Sequence, residues 1–241
     1  MKKKLFLLVA MGMLTVFSAG NVFSADVTAA VDVNSAYVWR GITFNDGVVF
    51  QPSVDVTSGG FGFNVWGNLD ADNYDNTLES GEFSEIDLTA SYGFTVKSVS
   101  FTVGYIEYLF PAGGSGTREV YGSIGIEPVK GLTTGVGVYW DFDEVEDYYM
   151  NLNLGYSRDI SDKLSMNSKV SVGYAGENMS IAYGGTKDGF HDYNISAGLG
   201  YAATDALSLS GFIAYTDSFD DEVLPDQDVN LYGGVGVSYS F

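Results

Sequence analysis

Strict alternation of apolar and polar residues recurs along almost the whole chain after residue 25. Residues 229–241 show it most plainly, because VNLYGGVGVSYSF places mainly apolar residues at odd positions and small or polar ones mostly between them. Side chains alternate faces along a β-strand, so this period predicts a strand with one apolar and one small polar face. A last strand ending on the aromatic Phe241 would expose an edge in an open sheet, whereas closure onto the first strand removes that edge. The pattern therefore predicts a closed barrel.

Twelve segments carry this period, and the connections between them alternate in length. The segments lie near residues 27–40, 48–57, 61–70, 85–94, 99–105, 120–126, 132–140, 148–156, 164–174, 193–201, 207–215 and 229–241. Short connections lie near 58–60, 95–98, 128–131, 159–163 and 203–206, and mostly longer, more polar ones near 41–47, 71–84, 110–118, 142–147, 175–191 and 217–228. Outer-membrane barrels have an even number of strands, short periplasmic turns and long outer loops. The sequence predicts an all-β fold, a transmembrane antiparallel up-and-down β-barrel of about twelve strands with both termini periplasmic.

A secreted soluble barrel with its apolar face inward is the alternative, since alternation does not say which face is inside. Two features besides the loop lengths favour the membrane barrel. The polar face is small and rich in glycine, unlike that of a solvated strand. Aromatic residues also fall near strand ends on the apolar face, where an interfacial girdle belongs: Trp39, Phe94, Trp140, Tyr156, Tyr201, Tyr215, Tyr239 and Phe241.

The N-terminus indicates the destination of the chain. Three lysines at positions 2–4 precede an apolar run from Leu5 to Phe17 and then small residues, which is typical of a secretory signal. We expect residues 1–24 to be this signal and residues 25–241 to be the mature barrel in the outer membrane of a Gram-negative bacterium. The signal holds three of the 11 basic residues and none of the 31 acidic ones, so the mature chain is even more acidic than the formal net charge of −20 indicates. Such a charge argues against nucleic acid as a partner.

Metal and cofactor chemistry finds little support in the sequence. The chain has no cysteine, which excludes disulfides, thiolate catalysis and cysteine-based zinc sites. The acidic run from Asp70 to Asp75 resembles a calcium loop but has Tyr74 and Asp75 where that pattern needs an acceptor and a glycine. We expect no cofactor and no metal, although carboxylates of the outer loops could bind divalent cations.

Several short motifs resemble the TorF family of porin-like proteins, also called Gcw_chp. The most specific is AYVWRGI at residues 36–42, followed by NDG at 45–47, QP at 51–52 and GFNVWG at 62–67. Weaker pieces are EID at 85–87, REVYG at 118–122 and DYNI at 192–195. The resemblance implies a Gram-negative outer-membrane barrel, and it supplies no functional residues.

Seven charged residues on the polar faces of the predicted strands are candidates for lining a pore: Asp32, Arg40, Asp55, Glu85, Asp87, Glu127 and Lys169. Arg40 would end the first strand, near Asp32 and Asp55. It is either one half of a charge pair across a constriction or a structural arginine that holds the first loop to the barrel wall by bidentate bonding. The other residues either tune ion selectivity or are paired within a wet lumen.

Three functions remain open from the sequence. The first is a channel for passive diffusion of small hydrophilic solutes, which prefers cations because its outer loops are acidic. The second is a closed structural or surface-binding barrel that acts through those loops, with Trp66, Tyr121, Tyr139 and Tyr232 filling the lumen. The third and least favoured is a lipase-like enzyme using His191, the only histidine. No nucleophile-elbow motif accompanies His191, so we predict no catalytic residues and no enzyme activity.

The predicted partners follow from the membrane assignment. They are outer-membrane lipid and lipopolysaccharide, together with the barrel-assembly machinery, which would recognise the C-terminal aromatic Phe241. The oligomeric state stays open.

Overall fold

The computed structural model of the protein describes residues 25–72, 74 and 80–241. The elements in these segments are β1 (Asp26–Asn34), β2 (Tyr37–Trp39), β3 (Ile42–Asn45), β4 (Val49–Ser58), β5 (Phe61–Asp70), β6 (Phe83–Val96), β7 (Val99–Leu109), β8 (Thr117–Val129), β9 (Leu132–Asp141), β10 (Asp147–Asp159), β11 (Leu164–Ala175), α1 (Glu177–Ala182), β12 (Gly189–Ala202), β13 (Leu207–Ser218) and β14 (Leu231–Ser240). The predicted signal, residues 1–24, and the acidic loop residues Asp75 and Glu79 lie outside the described residues.

Twelve of these strands close into one antiparallel barrel, as the sequence predicts. Each strand from β4 to β14 pairs with the next along the chain, and β1 pairs with both β4 and β14. The closing register sets Thr28 opposite Ser240. Closure pairs the first and last strands along their length, so neither is left as a free edge.

The two ends of the barrel differ in the length of their connections, which confirms the predicted alternation. One end, the short-turn end, has connections at 59–60, 97–98, 130–131, 160–163 and 203–206. The other, the long-loop end, has connections at 35–48, 71–82, 110–116, 142–146, 176–188 and 219–230. Strand β1 begins and β14 ends at the short-turn end.

The apolar face of the strands points outward. Side chains such as Val103, Ile124 and Leu152 are more than half exposed, whereas polar side chains of the opposite phase are turned into the lumen. Aromatic rings contact one another on the outside near both ends, as in the pair Phe94–Phe101 (centroids 5.2 Å apart) and the pair Phe190–Phe219 (5.7 Å). Such an outer surface suits lipid, and the soluble alternative with an apolar interior is wrong.

Seven of the eight predicted girdle aromatics are exposed on this surface: Phe94, Trp140, Tyr156, Tyr201, Tyr215, Tyr239 and Phe241. Trp39 is the exception and lies inside the barrel. Among the described residues, no helix has the length and apolar character that a membrane crossing requires.

The first predicted strand, 27–40, is too long. Strand β1 ends at Asn34, and the chain then turns into the lumen as the hairpin β2–β3, which pairs only with itself. Alternation continues through Tyr37 and Trp39 because the hairpin is also β-structure, so the period does not distinguish the barrel wall from a strand folded inside it. The turn of the hairpin is made by Arg40 and Gly41, both with positive φ (50° and 82°).

Candidate functional site

The hairpin β2–β3 occupies the interior of the barrel at the long-loop end. Its residues Tyr37, Ile42 and Asn45 are buried. Hydrogen bonds attach it to loop 219–230, since the N–H of Thr43 donates to Gln227 Oε1 (2.9 Å) and the N–H of Val229 donates to Thr43 Oγ1 (3.2 Å). The hairpin therefore forms a constriction held in place from several sides.

Arg40, at the tip of the hairpin, binds Glu119 on β8, the fourth strand around the barrel from β4. The two terminal guanidinium nitrogens donate to the two carboxylate oxygens, each at 2.7 Å. The side chains of Arg40 and Glu119 are only 8% and 1% exposed. Tyr108 adds a third hydrogen bond, from its hydroxyl to Glu119 Oε2 (2.8 Å). A pair with this bidentate geometry joins the hairpin to the opposite wall.

Three aromatic rings surround the guanidinium group of Arg40. Its Cζ lies 4.0 Å from the ring centroid of Trp39, 4.6 Å from that of Tyr139 and 4.5 Å from that of Tyr149. Cation–π contacts of this kind gain strength when water is excluded. Burial by itself lowers the pKa of Arg40, but the Glu119 carboxylate outweighs burial and the net shift is upward. Arg40 is therefore a permanent cation, neutralised by Glu119.

A β-bulge in β12 supplies the other wall of the constriction. Two residues, His191 and Asp192, stand opposite the single Gly173 of β11, and both side chains are buried. A Cβ at Gly173 would lie 2.2 Å from Asp192 Oδ1, so this position needs glycine. The Tyr149 hydroxyl donates to Asp192 Oδ1 at 2.8 Å. The bulge thus turns Asp192 toward the rings that hold Arg40.

His191 gives no support to the lipase-like hypothesis. The side chain is 1% exposed, its Nδ1 lies 3.1 Å from Asp192 Oδ1, and its ring packs edge-on against Tyr149. A lipid substrate on the outer wall of the barrel would not reach a side chain buried there.

Tyr37 holds the base of the hairpin through carboxylates of β6. Its hydroxyl donates to Glu85 Oε2 at 2.9 Å. Burial, and then the nearby Glu85 and Asp87 carboxylates, raise the pKa of Tyr37 well above its usual value, so the hydroxyl stays a hydrogen-bond donor.

Loops at the long-loop end pack over the outer side of the hairpin. Met179 of α1 and Val223 and Leu224 of loop 219–230 are at most 2% exposed. Tyr183, directly after α1, contacts the rings of Trp39 (6.0 Å) and Phe44 (6.2 Å), and burial raises its pKa to about 12.

Helix α1 is fixed to the wall by Asp147. One carboxylate oxygen of Asp147 accepts the N–H groups of Asn178 (2.7 Å) and Met179 (3.2 Å).

Two adjoining cavities pass beside the hairpin. One, of about 450 Å³, lies on the inner side of Arg40 and reaches Asn151 and Lys169. The other, of about 320 Å³, reaches Asn34 and Gln51 at the long-loop ends of β1 and β4. Both are lined by the same five residues: Val38, Trp39, Trp66, Asp87 and Tyr232.

The structure brings three of the seven predicted site residues together, since Arg40, Asp87 and Lys169 all line the 450 Å³ cavity. Glu85 lies at the base of the hairpin. Asp55 accepts a hydrogen bond from Asn64 Nδ2 (2.8 Å). Arg40 does not end the first strand near Asp32 and Asp55, as the sequence predicted, because it lies at the tip of the hairpin and binds Glu119. The bidentate geometry matches the structural interpretation of Arg40.

Two of the seven residues lie apart from the constriction. Asp32 is opposite Gly236 on the β1–β14 seam. Glu127 lies next to a turn at the short-turn end, where its Oε1 accepts the N–H of Gly131 at 2.6 Å.

Sequence reasoning missed Glu119, Asp192 and Tyr149. Glu119 could have been recognised from the sequence, because it is the one acidic residue in the REVYG motif at 118–122 and lies on the polar face of its predicted strand. Asp192 and Tyr149 could not have been recognised in this way. The β-bulge at Asp192 and the contact of Tyr149 with Arg40 are set by tertiary structure. Trp66 and Tyr232 line the lumen as predicted.

Charge is distributed unevenly along the barrel. Acidic residues crowd the described loops at the long-loop end: Asp72, Glu82, Asp143, Glu144, Glu146, Asp220, Asp221, Glu222, Asp226 and Asp228. Four basic residues, Lys97, Lys130, Arg158 and Lys163, lie at the short-turn end. Within the described segments, no group of three metal-ligating side chains is suited to a metal ion.

A closed twelve-stranded barrel with an apolar exterior, an aromatic belt and a polar lumen places the chain among outer-membrane β-barrel proteins. A family model described as "Bacterial protein of unknown function (Gcw_chp)" matches residues 18–232. The chain therefore belongs to the Gcw_chp family, which confirms the resemblance noted in the sequence. No curated protein matches it significantly.

Solved structures with a similar fold include porins and channels. The KdgM porin in complex with disordered oligogalacturonate has a TM-score of 0.56 at 11% identity, over 90% of this chain and 99% of that one. The NanC porin has a TM-score of 0.53 at 12% identity, over 90% and 99%. An outer-membrane channel from Pseudomonas putida F1 has a TM-score of 0.59 at 9% identity, over 92% and 97%. At these identities the likeness establishes the fold.

Proposed function

We propose that this protein is a narrow channel for passive diffusion of small hydrophilic solutes across the outer membrane of a Gram-negative bacterium, with a preference for cations. The observation that carries the proposal is the pair of adjoining cavities beside the hairpin. They share five lining residues and together extend from Asn151 and Lys169 in the inner lumen to Asn34 and Gln51 at the long-loop ends of β1 and β4. Fold likeness to porins and channels supports the same class.

The cation preference is supported by the charges in the larger cavity and at the mouth. Arg40 is neutralised by Glu119, and Lys169 shares the wall of the larger cavity with Asp192. The acidic loops would concentrate cations at the mouth and repel anions, an effect that weakens as salt rises. An acidic saccharide such as the oligogalacturonate bound by the KdgM porin is therefore a poor candidate solute.

Planar-bilayer recordings of the refolded mature protein test this proposal. We expect discrete conductance steps and, under a salt gradient, a reversal potential of the sign for cations. Selectivity should fall when the salt concentration is raised from about 0.1 M to 1 M, because the Debye length shrinks from about 10 Å to 3 Å. Absence of conductance in several independent preparations would contradict the channel, and an anion-selective potential would contradict the charge preference.

A second candidate is a closed barrel that acts as a structural or surface-binding protein. The tight packing of Met179, Val223 and Leu224 over the hairpin favours it. Shortening loop 71–82 would then abolish binding of the protein to its surface partner without altering ion leak in the bilayer. A change in leak with unaltered binding would count against this candidate.

The proposed location implies three further features. Residues 1–24 act as a cleaved secretory signal, both termini of the barrel lie on the periplasmic side, and Phe241 engages the assembly machinery. The aromatic belt would contact outer-membrane lipid, and the outer loops would contact lipopolysaccharide. Mass spectrometry of the mature protein from the outer membrane would identify the cleavage position.

A further inference from the structure

We propose that Trp66 and Tyr232 form a slot that binds uncharged pyranose sugars beside the hairpin. This inference rests on the proposed channel function, because a sugar-binding slot in the lumen would serve solutes that pass through the barrel. It adds the class of solute and the residues that recognise it.

The position of the two rings is the first argument. Trp66 on β5 and Tyr232 on β14 line both cavities, so a solute in either cavity can contact them. Val38 and Trp39 of the hairpin are also shared by both cavities. Cavities of about 320 and 450 Å³ are in the size range of small-molecule sites.

The surroundings of the rings are the second argument. Trp39, Tyr139 and Tyr149 already hold the guanidinium group of Arg40. Trp66 instead has Tyr37 tilted against it at 5.5 Å, and Tyr232 has Phe212 edge-on at 6.0 Å. Neither of these arrangements is face-to-face stacking, and both rings border cavity space. They can therefore receive the apolar C–H face of a sugar ring.

The polar groups around the slot are the third argument. The larger cavity is lined by amide and hydroxyl side chains, namely Asn64, Thr89, Asn151, Ser171 and Asn194. Asn194 Nδ2 donates to the Tyr232 hydroxyl at 3.0 Å, which fixes the orientation of that ring. Amides and hydroxyls both donate and accept hydrogen bonds, as the many hydroxyl groups of a sugar require. Apolar ring faces combined with such groups are the chemistry of a pyranose rather than of a simple ion.

The charges near the slot and at the mouth disfavour acidic sugars. Asp192 lines the larger cavity, whereas Arg40 is already paired with Glu119. Lys169 is the remaining cation on the wall of the larger cavity. An anionic sugar would also have to pass the acidic loops.

Saturation-transfer NMR on the full mature protein in detergent micelles tests the slot without requiring conductance. The probes are glucose, sorbitol and glucuronate. Sorbitol has as many carbons as glucose but no ring, and glucuronate has the same ring with a charge. We expect a saturable glucose signal, strongest at the ring C–H protons, and at least a tenfold weaker signal from the other two.

Variants locate the binding. Trp66→Ala and Tyr232→Leu should each reduce the glucose signal at least fivefold. Trp140→Ala is the matched control, because Trp140 lies on the lipid-facing surface and 44% of it is exposed, so its removal should leave the signal unchanged. Circular dichroism verifies that each variant is folded, and Tyr232→Leu carries the test if Trp66→Ala does not fold.

The outcomes separate this inference from the channel proposal. Equal signals from glucose and sorbitol, or a glucose signal that survives both variants, would overturn the slot. A conducting protein without any glucose signal would overturn the slot but leave the channel intact. A glucose signal that depends on Trp66 in a protein that does not conduct would support the slot and contradict the channel.

Discussion

Arg40 and Glu119 form a bidentate ion pair across the lumen, with both N–O distances at 2.7 Å and both side chains nearly inaccessible to water. One partner is at the tip of the hairpin that connects β1 to β4 in the chain, and the other is in the barrel wall. This ion pair therefore connects the tip of the hairpin to the barrel wall, as the Tyr37–Glu85 hydrogen bond connects its base.

Replacement of Arg40 by alanine should release the hairpin. The change leaves Glu119 buried without its cation, which costs about 3–5 kcal/mol for buried pairs. We expect Arg40→Ala to raise single-channel conductance severalfold and to add current noise from the freed loop in bilayer recordings. Arg118→Ala is the control, because the ion pairs of Arg118 are on the surface and its side chain is 47% exposed. Unchanged conductance in Arg40→Ala would show that the hairpin does not limit the pore.

A double-mutant cycle isolates the pair itself. Glu119→Ala should cost much less in the Arg40→Ala background than in the natural protein, because the charge that it removes is then unpaired. The cycle can be followed by the protection of the hairpin from protease. Additive effects would mean that the two residues act independently.

Gly41→Ala should displace the hairpin without altering any charge. Gly41 has a φ of 82°, and a Cβ there would lie 2.6 Å from Asp192 Cβ and 3.0 Å from Leu224 Cδ2. Backbone strain contributes about 1–2 kcal/mol, and the steric overlap adds to it. Gly81→Ala is a matched control for strain alone, because Gly81 has a φ of 80° and no heavy atom of the described residues lies within 4 Å of its Cβ position. Protease sensitivity of residues 35–48 should rise only in Gly41→Ala, and equal sensitivity of both variants would refute the steric explanation.

Reversal of charge at Lys169 should strengthen cation selectivity. Lys169 and Asp192 both line the larger cavity, so Lys169→Glu removes the cation that offsets Asp192 and adds a second anion there. We expect the cation-to-anion permeability ratio from reversal potentials to rise severalfold at low salt. Lys163→Glu changes the same charge in a turn at the short-turn end and should have a smaller effect. A larger effect from Lys163 would place the selective region outside the cavity.

Phe241→Ser should impair assembly more than it impairs the stability of the folded barrel. The Phe241 ring is 81% exposed and contacts Tyr239 edge-on at 5.0 Å, so few internal contacts depend on it. We expect a several-fold loss of protein in the outer membrane, with a small change in urea midpoint for refolded protein. Phe61→Ser is the control, because Phe61 is also highly exposed at the short-turn end. Equal losses in both assays would make Phe241 an ordinary member of the aromatic belt.

Much of the barrel could be predicted from local sequence. Period-two alternation and loop lengths located all twelve wall strands, because each strand must present one face to lipid and the other to the lumen. The same signal failed at Tyr37, Trp39 and Arg40, since a β-hairpin inside the barrel alternates as the wall does. The sequence left two roles open for Arg40, a constriction charge pair or a bidentate structural arginine, and it did not identify Glu119 as the partner.

The barrel, its strand number and its apolar exterior follow from local sequence, because they depend on the period and composition of each segment. Three features depend on long-range packing instead: residues 35–48 fold inward, Arg40 pairs with Glu119, and Trp66 and Tyr232 lie beside a cavity. Those contacts join residues far apart in the chain, 79 positions in the case of Arg40 and Glu119. Their geometry is defined only once the barrel closes and brings its opposite walls within reach of the hairpin.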